Sequence, residues 1–189
     1  MPLTDLQVLD VSYNSLTSSA PVASLKNLNW LSISNNNLTA LTGADSLTNL
    51  TYLNASSNAL TDARVIAGCV NLTELNLSNN QITDILGLKS LTKLKILDFS
   101  HNHVTAIPSW PTSCALYSIN GSHNQISSLT ALRGLQNLAY VYMDYNEITS
   151  VTPLERCGNL VRVDVYGNAV GSVQELTKQS IIVNYDPTA

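Results

Sequence analysis

Leu72-Thr73-Glu74-Leu75-Asn76-Leu77-Ser78-Asn79-Asn80-Gln81-Ile82-Thr83 reads as half of a closed circuit. Leu75 and Leu77 alternate with Glu74, Asn76 and Ser78, the period of a half-buried strand. The alternation stops at Asn80, where the chain has to turn. A turn stacked inside a solenoid leaves backbone polar groups without strand partners, and buried polar groups need partners. Asparagine supplies an acceptor and two donors on a short stem. The return half continues through Ile85, Leu88, Leu91 and Leu94. A spacing of three predicts short 3₁₀ turns, because i and i+3 align there.

The same pattern recurs every 22 residues without insertion. Its leading leucines are Leu6, Leu28, Leu50, Leu72, Leu94, Leu116, Leu138 and Leu160. Eight residues after each stands an asparagine: Asn14, Asn36, Asn58, Asn80, Asn102, Asn124, Asn146 and Asn168. A strict period with a fixed polar residue predicts stacked supersecondary units. One asparagine per unit predicts a continuous structural ladder between neighbouring turns. A convex side bulkier than the concave side would bend the stack into an arc with the strands inside.

The pattern Leu-x-x-Leu-x-Leu-x-x-Asn-x-Leu/Ile/Val resembles the leucine-rich repeat family, and the 22-residue period is similar to the short class found in internalins and related bacterial surface proteins. The match runs from Leu3 to Leu176. It implies an α/β solenoid, a right-handed arc with a parallel β-sheet on the concave face and 3₁₀ or short turns on the convex face. It also implies a ligand on the concave face, usually a protein. Local departures are Ser19, Ala55, Ser113, Gly121 and Gln179 at apolar positions.

These readings predict one domain over residues 1–189, with about eight repeats from Leu6 to Leu176 and a short closing strand at 181–185. Asp186-Pro187 would stop that strand and protect the sheet edge. Leu3 occupies the last leucine position of a preceding repeat, so Met1 is expected to begin mid-repeat in a truncated piece. The first strand, around Val8 and Val11, then has no visible cap, and self-association through that edge is expected.

Irregular places have packing explanations. Phe99 has its counterpart at Gly121 in the next repeat, so the ring is expected to fill the space the glycine leaves. Ile107-Pro108-Ser109-Trp110-Pro111 predicts an extended convex segment with Trp110 in the core. Cys69 and Cys157 replace the last repeat leucine and Cys114 sits one position later. At a repeat spacing of about 4.8 Å, Cys69 and Cys114 fall roughly 10 Å apart, too far for a disulfide. All three thiols are expected to be free.

Composition narrows the function. A net charge of -4 gives no electrostatic footprint for nucleic acid. No apolar run approaches the ~18 residues of a membrane span, so no membrane insertion is expected. Charged residues make up 12%, about half the usual share, with Ser, Thr and Asn in their place. That favours an extracellular or bacterial cell-surface setting over a cytoplasmic one. The six Asn-x-Ser/Thr triplets come from the repeat itself and say nothing about glycosylation.

Residues two, four, six and seven after each leading leucine are expected to face out of the concave sheet. Tyr13, Trp30, Tyr52, Tyr117, Tyr140, Tyr142, Tyr145 and Tyr166 are read as outward strand positions, eight of the chain's eleven aromatics. Tyrosine and tryptophan give large, stiff contact area with a polar tip. The predicted partner-binding set is therefore Trp30, Tyr52, Tyr117, Tyr140, Tyr142, Asp144, Tyr145, Arg162, Asp164 and Tyr166, for a protein or peptide ligand. The sixth-position serines Ser12, Ser34, Ser56, Ser78, Ser100 and Ser122 are read as a structural column bonded to itself. His101 and His123 share one column about 5 Å apart. A metal site wants three or four ligands, and only Asp98 or Asp144 is placed to join, so a solvated pair is expected and no metal.

No nucleophile–base pair, glycine-rich phosphate loop or metal cluster is present in the sequence. No enzyme activity and no cofactor are expected. The alternatives kept are a structural spacer that presents another domain of a longer surface protein and a glycan-binding module.

Overall fold

A computed structural model describes residues 3–187. The expected mid-repeat start at Met1 lies outside them. Nine three-residue strands form one parallel sheet in sequence order. They are β1 (Val8–Asp10), β2 (Trp30–Ser32), β3 (Tyr52–Asn54), β4 (Glu74–Asn76), β5 (Ile96–Asp98), β6 (Ser118–Asn120), β7 (Tyr140–Tyr142), β8 (Arg162–Asp164) and β9 (Ile182–Asn184). Each middle residue turns inward: Leu31, Leu53, Leu75, Leu97, Ile119, Val141 and Val163 are buried. Neighbours pair 22 residues apart, as Val8↔Trp30 and Tyr140↔Arg162, until Arg162↔Ile182 shortens the last circuit to 20.

The return segments are 3₁₀ turns at Ala20–Ser24, Ala44–Ser46, Arg64–Gly68, Leu86–Ser90, Thr130–Leu132 and Thr152–Arg156. The last return is different, a five-residue α-helix α1 (Gln174–Lys178) that delivers the chain to β9. Around Pro108 and Pro111 no helix forms, and Trp110 is buried there with its indole N–H donating to the Leu88 carbonyl at 3.0 Å. Proline lacks the N–H that a 3₁₀ turn uses.

The asparagine ladder forms in every repeat. Asn80 donates to the carbonyls of Ala55, Leu77 and Ser78, and its side-chain oxygen accepts the Leu60 N–H at 3.0 Å. Asn36, Asn58, Asn102, Asn124, Asn146 and Asn168 repeat this geometry. Asn14, in the first repeat, makes only the donations, to Val11 and Ser12.

Two further devices escape the sequence reading. The residue just before each ladder asparagine is left-handed: Tyr13, Asn35, Ser57, Asn79, His101, His123, Tyr145 and Gly167 all have φ between 52° and 68°. Such a backbone is unfavourable for side chains other than Gly and Asn, yet the fixed turn imposes it once per circuit. A second asparagine ladder runs along the other flank. Asn27, Asn49, Asn71, Asn137 and Asn159 each donate to a carbonyl one repeat back. Lys93 and Ala115 interrupt it: the Lys93 ammonium donates to the Asn71 side-chain oxygen at 2.6 Å, and the Ala115 backbone N–H reaches the Thr92 carbonyl at 3.0 Å.

The core exchanges volume between neighbours as expected. A Cβ on Gly121 would fall 2.5 Å from Phe99 Cζ and 2.9 Å from Met143 Sδ, so the glycine makes room for both. Cys69, Cys114 and Cys157 are free and buried. The thiols of Cys69 and Cys157 donate to the carbonyls of Ala44 and Leu132, both at 3.2 Å. Ser19, at an apolar position, is buried with its hydroxyl on the Thr42 carbonyl.

Candidate binding face on the concave sheet

Short strands change where the aromatics lie. Trp30, Tyr52, Tyr140 and Tyr142 sit within β2, β3 and β7. Tyr117 precedes β6, while Tyr13, Tyr145 and Tyr166 lie in the turns beyond their strands, so the placement of all eight on strands is corrected. Cross-repeat backbone bonds continue past the strands, as from the Tyr145 N–H to the Tyr166 carbonyl at 2.7 Å, but the left-handed residue before each ladder asparagine ends the extended backbone.

Repetition aligns the rings into columns. Trp30 and Tyr52 stack 4.8 Å apart and 3° from parallel. Tyr140 lies 6.4 Å from Tyr142, and Tyr117 meets Tyr140 edge-on at 5.3 Å. In the left-handed column His101 stacks on His123 at 4.2 Å and His123 on Tyr145 at 4.5 Å. Tyr145 in turn covers Gly167, where a Cβ would fall 2.6 Å from its ring, and meets Tyr166 edge-on. Tyr145 thus supports the turn as well as facing solvent. The two histidines are both exposed, and among the described residues no group of three or more His, Cys, Asp or Glu is placed to hold a metal ion.

The expected self-bonded serine column is also corrected. Ser34 bonds Ser12 across repeats at 3.1 Å. Ser56, Ser78 and Ser100 bond instead to the side-chain oxygens of Asn54, Asn76 and Asp98, two residues earlier in their own repeats. Their backbone N–H groups use the same acceptors. A local side-chain acceptor two residues back is nearer than a serine one repeat away.

Nor are the concave carboxylates all solvated. Asp164 is buried, 6% exposed, and holds Arg162 through both its oxygens at 2.9 and 3.1 Å. Asp144 is half-buried and accepts the Tyr166 N–H at 2.7 Å. Burial is the main cause that raises its pKa above the ordinary carboxylate value, and that N–H opposes it. In these two repeats Tyr142 and Asp164 occupy the position that elsewhere serves the turn N–H. The Ser122 hydroxyl takes that role for Asp144, and the Asp144 carboxylate takes it for Tyr166. Asp144 therefore supports the turn at Tyr166, and Arg162 and Asp164 are engaged with each other.

The turns, the ladder and the concave sheet define a leucine-rich-repeat solenoid, an arc of internalin-like repeats. Family models described as Leucine Rich Repeat and Leucine Rich repeats (2 copies) match residues 5–26 and 70–112. Internalin C2 of Listeria monocytogenes is 29% identical with a TM-score of 0.85, the match covering 95% of this chain and 80% of that one. Internalin F of the same organism, at 24% identity and a TM-score of 0.78, covers 97% of this chain and 62% of its own, and shows the shared fold. The plant peptide hormone receptor RGFR1, solved in complex with RGF2, is 27% identical with a TM-score of 0.81, over 92% of this chain and 30% of the receptor. No curated protein sequence matches the chain. Among the described residues no helix is long and apolar enough to cross a membrane.

Proposed function

We propose that this chain is a non-catalytic recognition module that binds an extended protein or peptide segment along its concave face, in an extracellular or bacterial cell-surface setting. The observation that carries the reading is the concentration of aromatic rings on that face: Trp30, Tyr52, Tyr140 and Tyr142 within strands, with Tyr117, Tyr145 and Tyr166 at their ends. Large rings that the core does not need, standing half-exposed in register, have the make-up of an interface centre. The likeness to a receptor solved with a peptide hormone supports it.

Selection of a random dodecapeptide library displayed on phage tests the reading. Peptides enriched on the native protein should lose on the order of 2–4 kcal/mol of affinity for the Tyr140→Ala/Tyr142→Ala variant, while its melting temperature changes little. Enriched peptides indifferent to every concave substitution would remove the reading.

A second reading concerns the first repeat. Val8 is 58% exposed on the open edge of β1, and a hollow of about 170 Å³ beneath it is lined by Leu9, Val11, Leu16, Val22 and Leu25 among others. An open edge over exposed core side chains favours self-association there.

A further inference from the structure

Charge is unevenly distributed over this solenoid. The concave positions carry Asp10, Glu74, Asp98, Asp144 and Asp164 against one basic residue, Arg162. The chain has 13 acidic and 9 basic residues, a net charge of -4. With Lys95 beside Tyr117 counted too, five acidic residues against two basic ones leave most of the net negative charge on the face that holds the aromatics. A curved face of one sign attracts the opposite sign and rejects its own.

Not all of these carboxylates are available. Asp164 is taken by Arg162, Asp98 accepts from Ser100 and Asn120, and Asp144 accepts the Tyr166 N–H. Two in the N-terminal half retain capacity. Glu74 is exposed and makes no hydrogen bond or ion pair among the described residues. Asp10 is exposed and uses one oxygen to accept the Ser12 N–H, a bond that holds its pKa below the ordinary carboxylate value.

Glu74 stands in the same row as the Trp30–Tyr52 stack, and Asp10 lies one row along, paired with Ser32 while Val8 pairs with Trp30. Asp10 lies on β1, Trp30 on β2, Tyr52 on β3 and Glu74 on β4, with Tyr52 directly paired to Glu74 in the sheet register. The ring centroids are 4.8 Å apart, the spacing of adjacent strands, so the rings stand across the column. One face of Tyr52 is covered by Trp30, and the other turns towards Glu74. Beyond Trp30, along the strands towards their turns, a hollow of about 600 Å³ is lined by Asp10, Trp30, Ser32, Asn54 and Ser56 among others. An aromatic face beside an unpaired carboxylate suits a guanidinium or ammonium group, which gains from both the ring and the charge.

We propose that the N-terminal half of the concave face, β1 to β4, takes a cationic segment of the protein partner, with an arginine or lysine side chain lying between the Tyr52 ring and Glu74. This rests on the concave-face reading and adds its chemistry: the partner is basic where it meets Trp30 and Tyr52, and contacts uncharged rings at Tyr140 and Tyr142.

The dodecapeptide selection distinguishes the two claims. Peptides enriched on the native protein should be rich in arginine and lysine. Synthetic copies should bind the Asp10→Asn/Glu74→Gln variant at least about tenfold more weakly, and lose affinity as salt rises. Asparagine can keep the Ser12 N–H bond, as Asn54 does for Ser56, so the turn survives. The convex control Asp45→Asn/Asp84→Asn should bind as the native protein does. Enriched peptides without a positive excess that still depend on Tyr140 and Tyr142 would overturn this proposal and leave the concave reading standing. Basic peptides that bind the Asp10→Asn/Glu74→Gln variant undiminished would overturn it equally. Enriched peptides indifferent to both concave variants, or no enrichment at all, would count against both.

Discussion

Asn80→Ala should be among the costliest single substitutions in the chain, and the structure shows why. The Asn80 amide donates to Ala55, Leu77 and Ser78, but each of these carbonyls has a second donor: Asn58, Asn102 and the Ser57 N–H respectively. Losing those donations weakens the turn without orphaning a group. The acceptor side has no substitute. Leu60 N–H bonds to Asn80 Oδ1 at 3.0 Å in a buried site, and alanine leaves it unpaired. A stranded buried N–H costs about 1–3 kcal/mol, and the lost donations add about 0.5–1.5, so the expected loss is about 1.5–4.5 kcal/mol. Asn14 supplies the internal control. It is exposed, and its side-chain oxygen accepts nothing among the described residues, so Asn14→Ala should cost less than about 1 kcal/mol. Urea unfolding of the two variants followed by circular dichroism measures the difference. Equal midpoint shifts, or an Asn80→Ala shift as small as that of the exposed Thr83→Ala, would refute the argument that cross-repeat acceptance holds the turns.

Gly121→Ala should destabilise by about 1–3 kcal/mol, because its methyl meets Phe99 and Met143 in a filled core. Adding Phe99→Leu should recover part of that loss, and calorimetric melting of both variants would show it. Burial, helped by the Asp45 carboxylate, pushes the Cys69 thiol up to about 11. The unfolded chain releases this proton at lower pH than the folded one, so the stabilisation is full below pH ~9 and is lost as pH rises towards ~11, worth about 2–3 kcal/mol. Cys69→Ala should flatten the stability profile over that range, and parallel profiles would contradict it. Thiol reagents should label Cys69 and Cys157 in native protein only after unfolding. Light scattering should show association at high concentration that Val8→Lys reduces, and a protein monomeric throughout would remove the N-terminal edge from consideration.

The sequence determined the solenoid because its signals are local and repeated. An apolar alternation, a turn asparagine and a three-residue return spacing, copied at a constant 22, fix strand, turn and register together. A slip of one residue would turn the apolar column to solvent, and the constant period excludes it in every repeat at once. The buried Phe99–Gly121 pair, Trp110 and the free thiols were legible for the same reason, since each is a size change in a known column. What required the tertiary structure was the use of polar groups that have several partners within reach. Whether Ser56 bonds a neighbouring serine or Asn54 depends on distances that a column of letters does not contain. The second asparagine ladder was visible as letters at Asn27, Asn49 and Asn71, yet only the stacked backbone showed carbonyls waiting for it. The same holds on the concave face. The sequence chose the aromatic positions, but the fold decided that Asp144 holds the Tyr166 turn and Asp164 holds Arg162, while Glu74 makes no bond among the described residues, because burial and hydrogen-bond geometry are set by packed neighbours.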